Sequence, residues 1–137
     1  MINKYFLEEP NILDLSKEIF NAVVDENLKI ETRFELISKK IEDAETINFI
    51  LADGLGFSNL QSTDSYLNEH INNVVNTTFP SSTNVALTTI AMQANPIDHG
   101  VFSYYMYDKL KYGLINALNW NSENKNLLLS KYFNNQS

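Results

Sequence analysis

The chain contains no cysteine. Disulfides and thiolate metal sites are thereby excluded, which fits a reducing compartment. Positive charge is also scarce: 10 lysines and arginines stand against 17 aspartates and glutamates, for a formal charge of −7, and no basic stripe runs through the sequence. Binding to a nucleic-acid polymer by phosphate neutralisation is therefore not expected. An acidic surface repels polyanionic partners unless a bound cation inverts the local field. No apolar run approaches the roughly 20 residues that span a bilayer, so no membrane association is expected. Met1 to Pro10 lack the basic start, apolar run and small-residue cleavage site of a secretory signal. A cytoplasmic location is the expectation, and the Asn76-Thr77-Thr78 sequon then has no consequence. Histidine is limited to His70 and His99.

What remains is an ordinary globular composition in 137 residues, enough for one domain with its own core. The stretch Thr46-Ile-Asn-Phe-Ile-Leu-Ala-Asp53-Gly54-Leu-Gly56 is the natural organising element. Ile47, Phe49, Ile50, Leu51 and Ala52 make an almost continuous apolar run, the pattern of a central strand covered on both faces by helices. Open α/β sheets place their chemistry just beyond the carboxyl ends of such strands, which is where Asp53 stands. Gly54 and Gly56 permit positive φ and close approach of a ligand or a second segment. A plainer reading makes Asp53 a local hydrogen-bond acceptor in a βα turn.

Before that stretch, Asn11 is placed to cap a helix with Asp14 at its third position, and Ile12, Leu15, Ile19, Phe20, Val23 and Val24 form one apolar face. A second helix is predicted where Thr32 and Glu35 have capping-box spacing, with Phe34, Ile37 and Ile41 as its buried stripe. After Gly56, helical turns are predicted near Phe57–Leu60 and Tyr66–His70, with His70 at a surface or helix end. Asn72 to Phe79 has the β-branched content of a strand. In Phe79-Pro80-Ser81-Ser82-Thr83-Asn84 the chain opens a helix that packs through Val85, Ala86, Ile90 and Ala91 and leaves the Thr83 hydroxyl at its amino terminus. Such a terminus favours anions; the plainer reading makes Ser82 or Thr83 simply the N-cap. Asn95 to Val101 reads as a turn, with His99 a buried or loop-fixing histidine rather than half of a catalytic pair. The alternating aromatics from Phe102 to Asp108 suggest a strand or hairpin edge, Tyr112 to Trp120 one more short strand, and 121–137 a polar tail.

Three motifs in order, Phe49-Ile-Leu-Ala-Asp53-Gly54-Leu-Gly56, Thr78-Phe79-Pro80-Ser-Ser-Thr83 and Asn95-Pro96-Ile-Asp98-His99-Gly100, resemble the type I phosphodiesterase/nucleotide pyrophosphatase branch of the alkaline phosphatase superfamily. The resemblance runs from about Ile47 to Asp108 and continues weakly through Gly113 to Trp120. It implies an α/β fold: the amino-terminal part of an alkaline-phosphatase-like three-layer sandwich with a mostly parallel central sheet, incomplete in this chain. In that arrangement residues 1–45 are lead-in helices, 46–120 carry the core strands and the nucleophile helix, and 121–137 are the tail, all within one partial domain over 1–137.

The resemblance also implies a site. Asp53 matches an aspartate that ligates one of two divalent metal ions, usually zinc. Thr83 matches the nucleophile and metal ligand, with Ser82 as its neighbouring alternative, and Asn84 is placed beside it to contact a phosphoryl oxygen. Met92-Gln93 stand where relatives often have Thr-Gly, a departure that concerns the helix exit. A threonine hydroxyl is a poor nucleophile at neutral pH and needs activation. Two metals about 4 Å apart supply it and stabilise the leaving oxygen. The implied substrate is a small phosphate ester, and Asp53 and Thr83 would meet at adjacent strand ends. Further aspartate and histidine ligands of such a site belong to the later half of a longer domain, so the isolated chain is expected to be inactive, with a complementing chain or an oligomer as partner. From a different class, a non-catalytic α/β module binding an anion or a protein partner at the helix near Thr83 fits the same residues.

Overall fold

The computed structural model describes residues 8–109, 113–119 and 121–122. The chain divides into two compact units, Met1–Asn76 and Thr77–Ser137, so the expected core stretch 46–120 runs across both. Helices and a small sheet are both present, a mixed α/β composition.

The first unit is built on helix α1, Ile12–Val23. Its start obeys the expected chemistry: Asn11 Oδ1 accepts from the N–H groups of Leu13 at 2.8 Å and Asp14 at 3.3 Å, while the Asn11 N–H donates to Asp14 Oδ2 at 2.9 Å. This reciprocal box satisfies the donors that a helix start leaves unpaired. The buried face differs from the expected one. Leu13, Asp14, Ser16 and Glu18 are hidden, whereas Val23 is 67% exposed. The cause is the segment after α1, because residues 24–38 wrap over the polar positions of the helix. Arg33 grips Asp14 with two hydrogen bonds, Nε to Oδ1 at 2.9 Å and Nη2 to Oδ2 at 2.6 Å. The Asn21 amide pairs with both backbone groups of Ile30, donating to its carbonyl at 2.7 Å and accepting from its N–H at 2.9 Å.

Glu18 ties α1 to the segment that follows. Its carboxylate, 2% exposed, accepts from the N–H groups of Leu36, Ile37 and Ser38 at 2.6, 2.8 and 2.7 Å and from Ser38 Oγ at 2.5 Å. These bonds cap the one-turn helix α2, Ser38–Ile41. The second helix expected from Thr32 and Glu35 is therefore corrected: residues 29–37 are not helical, and a carboxylate from α1 replaces the local capping box. Burial pushes the Glu18 carboxyl up, but the hydrogen bonds from Ser38 Oγ and the three backbone N–H groups outweigh it and hold the group below its ordinary value. A short helix with few intrahelical bonds draws its stability from such tertiary partners.

Thr46–Ala52 is not a strand, and this too is a correction. Phe49, Ile50 and Leu51 are exposed, Ile50 to 85%. A strand exists by pairing, and among the described residues no segment hydrogen-bonds alongside this one. Helix α3, Phe57–Gln61, and a 3-10 turn at Tyr66–His70 form where helical turns were predicted. The predicted strand at Asn72–Phe79 shrinks to a single parallel bridge, in which Ile12 N–H donates to the Asn76 carbonyl at 2.8 Å and Asn76 N–H to the Pro10 carbonyl at 2.9 Å. Pairing stops there because its partner turns into α1.

In the second unit, α4 spans Thr83–Met92 and α5 spans Pro96–His99, with Asn95 at the N-cap position and Gly100 ending it at φ 73°. Three antiparallel strands come next, β1 (Tyr105–Asp108), β2 (Gly113–Asn116) and β3 (Asn121–Ser122). Opposite residues pair as Tyr105 with Asn116, Met106 with Ile115 and Tyr107 with Leu114. Because side chains alternate along a strand, Met106 and Ile115 share the inner face and Tyr105, Tyr107 and Leu114 the outer one. Val85, Val101 and Ala117 form the core, with Met106 packed against them. Of the apolar positions expected on α4, Val85 is fully buried and Ala86 and Ile90 half-buried, whereas Ala91 is exposed and Thr89 takes its place inside. Parts of the predicted strand Tyr112 to Trp120 and of the polar tail lie outside the described residues.

Candidate functional site

The residues singled out by the three motifs fall into two groups. Asp53 belongs to the first unit, in an exposed turn completed by Gly54 at φ 74°. Among the described residues nothing comes within 4 Å of a Cβ built on Gly54, so within the chain it is the positive φ that calls for glycine there. Thr83 and Asn84 belong to the second unit, at the first two positions of α4. Neither unit by itself brings Asp53 and Thr83 together.

At α4 the geometry is specific. Ser82 is the N-cap by position, yet its side chain makes no capping bond. Its hydroxyl donates instead to Asn84 Oδ1 at 2.9 Å. Ser82 is thus the N-cap that the plainer reading expects, with its side chain turned to Asn84 rather than to the helix N–H groups. Asn84 is 2% exposed, and its Nδ2 donates to the Ser103 carbonyl at 2.6 Å. The amide assigned to a phosphoryl contact is therefore held inside, joining the helix start to the segment before β1. Thr83 is half-buried, and its Oγ1 accepts a hydrogen bond from the Tyr104 hydroxyl at 2.9 Å. Tyr104 escaped notice in the sequence because it is one of several alternating aromatics and nothing in that pattern distinguishes it. Farther along α4, Thr88 Oγ1 bonds back to the Asn84 carbonyl at 2.7 Å.

His99 fixes the loop after α5. The Val101 N–H donates to its Nδ1 at 3.1 Å, so Nδ1 carries a lone pair and Nε2 carries the proton, which is directed at Thr89 Oγ1 at 3.0 Å. Burial lowers the His99 pKa, opposed in part by the charge of Asp98, in keeping with a neutral ring. His70 is exposed at the end of its 3-10 turn, stacked on Tyr66 with ring centroids 4.1 Å apart. Neither histidine faces Thr83 through any of these contacts.

A two-metal centre needs several convergent ligands. Among the described residues no three of His, Asp and Glu converge, so Asp53 and Thr83 do not by themselves make one. A hollow of about 490 Å³ in the first unit is bordered by Glu18, Asn21, Thr32, Ser38 and Lys39. It contains none of the motif residues. No described helix is long and apolar enough to cross a membrane. No family model, curated protein or solved structure matches the chain.

Proposed function

We propose that this chain belongs to a metal-dependent hydrolase of phosphate esters, of the phosphodiesterase/nucleotide pyrophosphatase kind, with Thr83 as nucleophile. The supporting observation is the placement of Thr83: a hydroxyl at the first turn of a ten-residue helix whose N-cap side chain leaves the terminal N–H groups to other partners. Those N–H groups and the helix dipole favour a negatively charged phosphoryl oxygen beside that hydroxyl. The order of the three motifs supplies the rest of the reading. On it, the complete fold is the three-layer sandwich with a parallel sheet. By resemblance, Asp53 and Thr83 would be among the residues that hold two divalent ions, zinc in relatives, with further ligands from outside the motifs found here. The ions would supply Lewis-acid activation. The described residues contribute the hydroxyl, its orientation and an anion-compatible helix start.

The test is hydrolysis of para-nitrophenyl phosphate and bis-para-nitrophenyl phosphate with added zinc, beside Asp53→Ala and Thr83→Ala, together with an NMR titration by inorganic phosphate. The isolated chain should turn over neither ester and should show phosphate-dependent shifts of the Thr83, Asn84 and Val85 amides. Turnover that survives Thr83→Ala, or amides indifferent to millimolar phosphate, would overturn the reading.

A second reading draws on a separate observation. Phe49, Ile50, Leu51, Leu55 and Phe57 expose apolar side chains along one stretch of the first unit, as a module that binds a protein partner or a complementing chain would. Partner affinity unchanged by a chelator would favour this module over the hydrolase.

A further inference from the structure

We propose that Tyr104 acts directly on the Thr83 hydroxyl, orienting Oγ1 and donating to the negative charge that gathers there when it attacks phosphorus. The inference rests on the reading of Thr83 as nucleophile and adds to it a residue that no motif indicated.

Tyr104 is presented to Thr83 by backbone hydrogen bonds on both sides of its Cα. On one side the carbonyl of the preceding Ser103 accepts from Nδ2 of buried Asn84 at 2.6 Å. On the other, the Tyr104 carbonyl accepts from the Ala117 N–H at 2.7 Å, just beyond β2. With its backbone held at two points, the ring has only two side-chain torsions left, and the phenol reaches Thr83 Oγ1 at 2.9 Å. Asn84 is then a positioning residue: it ties the helix start that carries Thr83 to the segment that carries Tyr104.

The direction of the bond decides its chemistry. The phenol donates and Oγ1 accepts. A donor to a neutral hydroxyl gives a modest hydrogen bond, but the same donor to a developing alkoxide gives a charge-assisted one roughly twice as strong. The interaction therefore grows along the reaction, the condition for accelerating it. In the attack, the Oγ1–P bond forms and the bond from phosphorus to the leaving alcohol breaks. The proton of Thr83 ends on that alcohol through solvent, and Tyr104 keeps its own. The bond is not needed to hold the fold, since Tyr104 is 39% exposed and water would satisfy both groups in its absence. Replacing the phenol should consequently leave the structure intact.

The experiment uses the full chain with Tyr104→Phe, and Tyr107→Phe on the outer face of β1 as the control. Diisopropyl fluorophosphate in mildly alkaline buffer is the probe: solvent base takes the Thr83 proton in place of the activation that metals would supply, Oγ1 bonds to phosphorus as fluoride leaves, and the adduct at Thr83 is quantified by peptide mass spectrometry against exposed Thr63 in the same molecule. Three-bond couplings to the Thr83 methyl carbon report its torsion, and circular dichroism checks the fold. In the unaltered chain Thr83 should react faster than Thr63. In Tyr104→Phe its rate should fall by about a hundredfold, with averaged couplings, while Tyr107→Phe changes neither. A fast Thr83 that reacts equally well in Tyr104→Phe would overturn the role of Tyr104 and leave the nucleophile standing. A Thr83 no faster than Thr63 in the unaltered chain would overturn the nucleophile, and this inference with it.

Discussion

Around α1 the buried positions are Leu13, Asp14, Ser16 and Glu18, whereas the second unit buries Val85, Val101, Ile115 and Ala117 with the neutral Thr78, Asn84 and Thr89. Two ways of closing a small structure stand side by side. In the first unit, carboxylates recruit distant groups: Asp14 takes the Arg33 guanidinium, and Glu18 takes the backbone N–H groups of residues 36–38. In the second, aliphatic contact provides the centre and neutral amides and hydroxyls join the segments around it. A buried carboxylate is tolerated only while every partner stays in place, so the first arrangement fails abruptly when one is lost. An apolar core loses stability in proportion to what is removed.

The largest expected effect is at Glu18. Glu18→Ala strands three backbone donors and should destabilise the first unit by about 3 kcal/mol. Hydrogen exchange should show the amides of residues 36–41 losing protection while Val85 keeps its own; equal loss in both units would break the comparison. Next is Val85→Ala, which removes two methyl groups from the centre of the second unit and should cost roughly 2 kcal/mol. Urea denaturation combined with exchange at Val101 and at Leu13 tells whether that loss stays where it was made.

Acid should separate the units by pH. The folded pKa of His99 lies below its ordinary 6.5, so its contribution is fully present above that value. As pH falls from there toward the lowered pKa, the unfolded chain binds a proton that the folded one does not, and stability declines. Glu18 behaves in the same sense in a lower window, keeping its contribution above the ordinary 4.5 and losing it as pH falls through the depressed folded value. The loop around Val101 should therefore loosen before α2 does. Site-resolved exchange across the titration measures the order, and His99→Gln should erase the upper window alone. The smallest effect belongs to Gln93, which ends α4 at φ 52°. Gln93→Gly should shift stability by only a few tenths of a kcal/mol in favour of the fold, because the relief of left-handed strain is opposed by the freer unfolded chain and the lost Nε2 bond to the Ile90 carbonyl. A thermal melt resolves the sign.

What could be read along the chain was local. The Asn11 and Asp14 box spans three residues and forms as the pattern requires. Helix α4, the turn ended by Gly100, the helical turns at Phe57 and Tyr66 and the loop-fixing role of His99 all depend on near neighbours, and all are present. The failures share one cause. Thr32 and Glu35 lost to a carboxylate 20 residues before Ser38. The apolar run before Asp53 has the composition of a central strand, but a strand requires a second segment and composition does not supply it. Tyr104 reaches Thr83 across 21 residues, a distance over which no periodicity carries information.

The order of residues alone settled the capped start of α1, which groups carry charge, and that the Ser82–Thr83 hydroxyls stand at the amino terminus of α4, because caps and turns are made by atoms a few bonds apart. The tertiary structure decided which face of α1 is hidden, what caps α2 and what touches Thr83. Those outcomes come from pairing between segments far apart in the chain, where a buried polar group is stable only beside the particular partner that satisfies it.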